Sequence, residues 1–187
     1  MKKVLIVVGF FPPVGGPAVQ RTLKFCKYLP QFGWQPIVLT VNSRLQNERD
    51  ATLLEELPES VIVHRTAFPD LYALFRRAKS RLGQGKHQGW LTNARNGNAQ
   101  AMWYTSIRRL IETWVFIPDS YIGWFPFAIA KGYELFRRLG IDVIYSSSDP
   151  FTDHLIGLSL KKLLCKPWIA DFRDLWTQES FYQYTSC

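Results

Sequence analysis

The stretch Gly9-Phe10-Phe11-Pro12-Pro13-Val14-Gly15-Gly16-Pro17 separates a β-branched apolar run, Met1 to Val8, from an amphipathic segment that begins near Ala18. An apolar run with no alternation suits a strand buried on both faces of a parallel sheet. A strand, a glycine loop and a helix in that order form the first half of a βαβ unit, whose crossover is right-handed. Gly33 stops the helix expected over residues 18–32, and Trp34 to Thr40 reads as the second strand. The chain is therefore expected to be α/β, with its ligand edge at the carboxyl ends of the strands.

The loop also excludes chemistries. A dinucleotide site needs Gly-x-Gly-x-x-Gly and an acid closing the second strand, whereas here the glycines are spaced differently and that strand ends in Thr40, Val41 and Asn42. A P-loop needs Lys-Ser/Thr after its last glycine, but Gly16 is followed by Pro17 and Ala18. Two readings of the loop stay open. It is either a turn and nothing more, or a place where backbone amides at a helix start meet negative charge.

Further along, a short helix is expected over 50–57, a strand over Val61 to His64, helices over 68–82 and 103–116, and a helix over 123–139 that Gly140 stops. A fourth strand is expected over Ile141 to Ser146. The quartet Ser147-Ser148-Asp149-Pro150 would cap a helix over 151–165, and a fifth strand would follow from Pro167 to Ala170. Between 83 and 100 the composition is rich in Gly, Gln, Asn and Arg without periodicity, which reads as a flexible loop. Over 187 residues this describes a single domain carrying a basic, partly flexible insertion at about 66–118.

Charge is concentrated in that insertion. From Arg65 to Arg109 there are nine basic residues against one acid, a surplus equal to the +8 of the whole chain. A basic amphipathic helix over 68–82, with aromatic residues over 103–116, fits an anionic membrane surface. It fits also a helix packed on the core with a solvated basic face. No nucleic-acid motif accompanies the charge, so no nucleic-acid partner is expected. Three cysteines, unclustered and odd in number, read as reduced thiols of a cytosolic protein. No secretory leader and no apolar window of membrane-spanning length is seen.

Five motifs in order resemble a known family. Phe11 to Pro17 with Gln20-Arg21, then Phe32 to Thr40, then Ile117-Pro118-Asp119 with Trp124, then the turn Ser146 to Pro150 leading to His154, and Ala170-Asp171-Phe172-Arg173-Asp174-Leu175-Trp176 are similar to family 4 glycosyltransferases of the two-domain GT-B fold. The resemblance implies a Rossmann-like parallel sheet flanked by helices, the amino-terminal, acceptor-side half of a GT-B fold, incomplete at Cys187. It implies an enzyme moving a sugar from a nucleotide-sugar donor to a cell-surface glycan or lipid-linked acceptor with retention, without metal or other cofactor. The location implied is cytoplasmic, peripheral at the inner face of the plasma membrane. With the nucleotide-sugar half expected beyond residue 187, little transferase activity is expected of this chain alone.

By the same resemblance, Gly15 and Gly16 lie near the donor diphosphate, and Gln20, Arg21, Asp149 and His154 contact substrate. Asp171, Arg173 and Asp174 occupy the catalytic edge, with Asp171 or Asp174 orienting an acceptor hydroxyl. Many relatives have a histidine after the fifth strand, where this chain has Arg173 and Asp174. Each residue also has a plain structural reading: a solvated helix face for Gln20 and Arg21, packing or capping for His154, and a loop-shaping ion pair for the Asp171 to Asp174 group. The rival function is a non-catalytic α/β module binding a phosphate ligand or a membrane surface.

Overall fold

The computed structural model describes residues 1–42, 50–69 and 117–173. The expected loop over 83–100, the helix over 103–116 and nearly all of the helix over 68–82 lie outside the described residues. So does Asp174. The chain divides into two compact units, one of Met1–Phe68 with Trp124–Cys187, the other of Pro69–Gly123. In the second unit the Asp119 carboxylate accepts the Tyr121 amide at 2.8 Å, an Asx turn that opens the 3-10 turn Ser120–Trp124.

The first unit is a doubly wound sheet. Its elements are β1 (Lys2–Val7), α1 (Pro17–Tyr28), β2 (Trp34–Val41), α2 (Thr52–Glu55), β3 (Ile62–Thr66), α3 (Phe125–Leu139), β4 (Val143–Ser147), α4 (Thr152–Leu164) and β5 (Trp168–Asp171). The strands are all parallel, in the order β3-β2-β1-β4-β5. This is the expected Rossmann-like α/β fold. The central position of β1 explains its composition, because Val4 to Val8 are buried on both faces and no polar residue could be solvated there.

α1 buries Val19, Thr22, Leu23 and Cys26, a helical stripe that faces the sheet. It ends at Tyr28, four residues before the expected end, because Pro30 has no amide to continue the ladder. The chain tightens into a 3-10 turn, Leu29–Phe32, which Gly33 closes at a φ of 79°. Phe32 thereby swings into solvent and is 77% exposed, and Phe25, a third of a turn off the stripe, is 42% exposed. Cys26 is enclosed, and burial pushes its thiol up to about 12, which keeps it inert.

β3 continues past His64 to Thr66, since Arg65 and Thr66 still pair with Thr40 and Val41. Trp124, fully buried, donates its indole N–H to Thr66 Oγ1 at 2.6 Å. On the opposite face α3 and α4 meet at Gly132, where a Cβ would lie 2.7 Å from Leu160 Cδ1. The expected capping by Ser147 to Pro150 is corrected: the residue before α4 is Phe151, and no side chain caps the helix. Ser147 is drawn instead to Asp171 on β5, and Ser148 to the Arg173 amide just past it.

Candidate functional site

Strand order reverses between β1 and β4, and that switch point at the carboxyl edge is where open α/β sheets leave a crevice. Three side-chain networks are built there. The first joins the β1 loop to α4. The Gly9 amide donates to the fully buried Asp153 carboxylate at 2.7 Å, and Thr40 Oγ1 donates to the Gly9 carbonyl at 3.4 Å. A Cβ on Gly9 would sit 2.6 Å from Pro150 Cγ, so the close approach of the two loops requires glycine.

The rest of the glycine loop is held from the β2–β3 side. Arg65 Nη2 donates to the Pro12 carbonyl, and the Asp50 amide donates to the Pro13 carbonyl at 2.8 Å. Gly16 stands before α1 with a φ of 102°, a conformation that itself accounts for a glycine. Gly15 is different. A Cβ there would make only ordinary contact, with Asp50 Cβ at 3.5 Å, so neither backbone conformation nor crowding demands its glycine. The first turn of α1 carries no acidic residue and no side-chain cap.

The second network centres on Asp171, the last residue of β5 and the register partner of Ser147. Arg21 Nη1 reaches its two carboxylate oxygens at 2.9 and 3.0 Å, Tyr145 Oη donates at 2.6 Å and Ser147 Oγ at 3.1 Å. Burial alone would raise its pKa, but the hydrogen bonds from Tyr145, Arg21 and Ser147, with the Arg21 charge, outweigh this and hold it below the ordinary value. The Tyr145 hydroxyl is pushed up, by burial first and then by the neighbouring carboxylate. An ionised acid so engaged is a weak base and a good anchor. It ties α1 to β5 across β1 and β4.

The third network lies under α4. Trp168 Nε1 donates to Ser146 Oγ at 2.9 Å, and that hydroxyl exchanges a hydrogen bond with His154 Nδ1, also at 2.9 Å. The His154 ring packs on Phe172, centroids 4.2 Å apart. Burial lowers the His154 pKa, and the Asp171 charge opposes this only in part. Its Nε2 is buried and finds no hydrogen-bond partner among the described residues.

Of the residues singled out from the sequence, Gly15, Gly16, Arg21, Asp149, His154, Asp171 and Arg173 all stand on this edge. Arg21 and Asp171 pair directly, rather than Arg173 with Asp171. Arg173 instead turns its backbone amide to Ser148 Oγ at 3.3 Å and to the Asp171 carbonyl at 3.1 Å. Gln20 is exposed and joins none of the three networks, and Asp149 is exposed at the turn. Sequence reasoning missed Gly9, Asp153, Tyr145 and Ser146. Two signals existed for them: an acid in the first turn of a helix facing a glycine loop, and hydroxyls inside an otherwise apolar strand, which must find partners.

Among the described residues no group of His, Cys, Asp and Glu could hold a metal ion, and no helix is long and apolar enough to cross a membrane. No protein-family model and no curated protein matches the sequence. Solved structures match loosely. Apo UGT2 from Phytolacca americana is 14% identical with a TM-score of 0.46, over 91% of this chain and 29% of that one. UGT2 from the same plant complexed with UDP-2fluoro-glucose and pterostilbene is 16% identical with a TM-score of 0.46, over 91% and 30%. The C-terminal domain of a hydrogenase from Pyrococcus furiosus is 13% identical with a TM-score of 0.45, over 91% of each chain. The chain thus spans under a third of the UGT2 structures. Likeness at this level reaches proteins as different as UGT2 and a hydrogenase, and it argues nothing about activity.

Proposed function

We propose that the chain is the acceptor-side domain of a retaining, family 4-type glycosyltransferase acting on a cell-surface glycan or lipid-linked acceptor at the cytoplasmic membrane face. The observation that carries this reading is Gly15: a glycine that neither conformation nor crowding demands, in the loop that opens α1 at the switch point. Such a glycine is accounted for when a ligand must approach the backbone. The resemblance of Phe11 to Pro17 to family 4 glycosyltransferases supports a sugar diphosphate as that ligand, and the loop carries neither a P-loop lysine nor a following ribose-binding acid.

In this reading the amides at the start of α1 meet the charge that builds on the leaving diphosphate. Arg21, fixed by Asp171, and Gln20, His154 and Asp149 face the acceptor, while Asp171 acts through Arg21 as a positioning residue. Arg173 stands at the same edge, and by the resemblance Asp174 shares its role. The test is to incubate the protein in its full-length form with a panel of labelled UDP-, GDP- and ADP-sugars and polyprenyl-linked or free glycan acceptors, with the anomeric configuration of any product read by NMR. Transfer with retention is expected. No transfer from any donor refutes the activity, and inversion refutes the family assignment.

One observation favours the rival, a non-catalytic module for a phosphate ligand. The carboxylate at the expected catalytic position is fully engaged by Arg21, Tyr145 and Ser147. Tight binding of a phosphate ligand with no turnover in the same panel would establish it.

A further inference from the structure

The edge of the sheet opposite the candidate site gathers the carboxyl ends of α3 and α4 and the start of β1. These segments are contiguous. Lys3 Nζ donates to the Leu139 carbonyl at the end of α3 at 2.6 Å, and Lys166 Nζ, just past α4, lies 5.6 Å from the centre of the Phe136 ring in the last turn of α3. The Lys2 amide bonds the Gly33 carbonyl at 3.1 Å, which brings Phe32 alongside. Arg137, Lys161, Lys162 and Lys166 form no ion pair among the described residues, and Arg138 pairs with Glu134 from an exposed position. Asp142, the acid nearest β1, receives the Lys3 backbone amide at 2.7 Å.

Cations in the last turn of a helix are commonly explained by its dipole. That explanation covers Arg137, Arg138, Lys161 and Lys162. Lys2 and Lys166 lie outside those turns, their ammonium groups each 5.6 Å from the centre of a ring, Trp34 and Phe136. Neither contact covers the apolar side chains left in solvent beside them, Phe32 at 77% and Leu163 at 54% exposure. Cations without a carboxylate partner, interleaved with exposed apolar side chains, have the composition of a surface that enters the headgroup layer of a bilayer. A nucleic acid would engage the charges but gains nothing from an aliphatic side chain such as Leu163, which offers no face for a base to stack on.

We infer that this edge, carried by Lys2, Arg137, Lys161, Lys162 and Lys166 with Phe32 and Leu163, docks on an anionic phospholipid surface. The inference does not depend on the sugar-transfer reading. It differs from membrane contact through residues 68–82 and 103–116, and it sets the candidate site about 20 Å above the headgroups, the length of a six-residue strand.

The test is sedimentation of the protein with vesicles of phosphatidylglycerol and phosphatidylcholine, against vesicles of phosphatidylcholine alone, across a salt series. Binding to the anionic vesicles that weakens with salt is expected. Each basic residue near such a surface contributes about fivefold in partitioning. The Lys161→Gln/Lys162→Gln/Lys166→Gln variant should therefore bind roughly a hundredfold more weakly, with circular dichroism and melting unchanged. Leu163→Ser should weaken binding at every salt concentration, which a purely ionic contact would not do. Wild-type affinity in the triple variant places docking elsewhere in the chain and overturns the inference. So does absence of binding at low salt, equal binding to neutral vesicles, or displacement from vesicles by a duplex or single-stranded oligonucleotide at lower concentration than the lipid.

Discussion

Replacing Asp171 with Asn separates an anchoring acid from a purely chemical one. Asn keeps one acceptor oxygen for Tyr145 or Ser147 but loses the charge that Arg21 meets at 2.9 and 3.0 Å. Hydrogen bonds to a charged group are worth about 1.5–3 kcal/mol. The Arg21 ion pair adds only about 0.5 kcal/mol, because the Arg21 side chain is 47% exposed. The expected loss is about 2–3 kcal/mol near neutral pH, which moves the urea midpoint down by about 1–1.5 M for a slope of about 2 kcal/mol/M. The pH dependence carries the sharper test. The folded pKa of Asp171 is depressed, so its stabilisation is complete above the ordinary value of 3.8 and is lost as pH falls through the lower, folded value. Wild type and variant should therefore converge in strong acid. The other carboxylates titrate in both proteins and cancel in the difference. A gap under about 0.5 kcal/mol at neutral pH, or one that persists unchanged to about pH 2, would refute the anchoring argument.

Gly9→Ala forces a Cβ into the Pro150 ring, an overpacking that costs about 1–3 kcal/mol and should lower Tm by roughly 3–10 °C. Gly15→Ala meets nothing closer than 3.5 Å and should stay within about 0.5 kcal/mol of wild type; a loss of ligand binding at unchanged Tm would mark Gly15 as the place of backbone approach. His154 has a lowered folded pKa, so as pH falls through its ordinary value of 6.5 the unfolded chain takes up a proton that the folded chain refuses, and stability declines below that pH. Denaturation midpoints of His154→Asn between pH 5 and 7 should show a shallower slope, the residue of it belonging to His64, which burial lowers in the same direction.

The elements follow from local patterns wherever one physical term dominates. β1 was legible because a run such as Val4 to Val8 has no soluble alternative to burial on both faces. The stop at Gly33 and the start of α1 were legible because proline and glycine fix backbone geometry locally. The end of α1 was misplaced where two local signals competed, and the missing amide of Pro30 prevailed over an apolar stripe that seemed to reach Phe32. The capping role expected of Ser147 and Ser148 failed for a different reason. Asp171 and the Arg173 amide, 24 and 25 residues away, claim those hydroxyls.

The site divides along the same line. By itself the sequence determined that an α/β sheet would present a glycine loop, a serine-rich turn and a pair of acids at the carboxyl ends of its strands, because strand direction and right-handed crossover leave little choice. It also determined that this loop is neither a dinucleotide fingerprint nor a P-loop, since both need side chains at fixed offsets that are missing here. Tertiary structure alone decided the pairings: Gly9 with Asp153 over 144 residues, Arg21 with Asp171 over 150, and Tyr145 with Asp171 over 26. Those choices depend on which strands lie side by side and on what each buried polar group finds within hydrogen-bonding reach. That distance is a property of the folded sheet and has no counterpart in spacing along the chain.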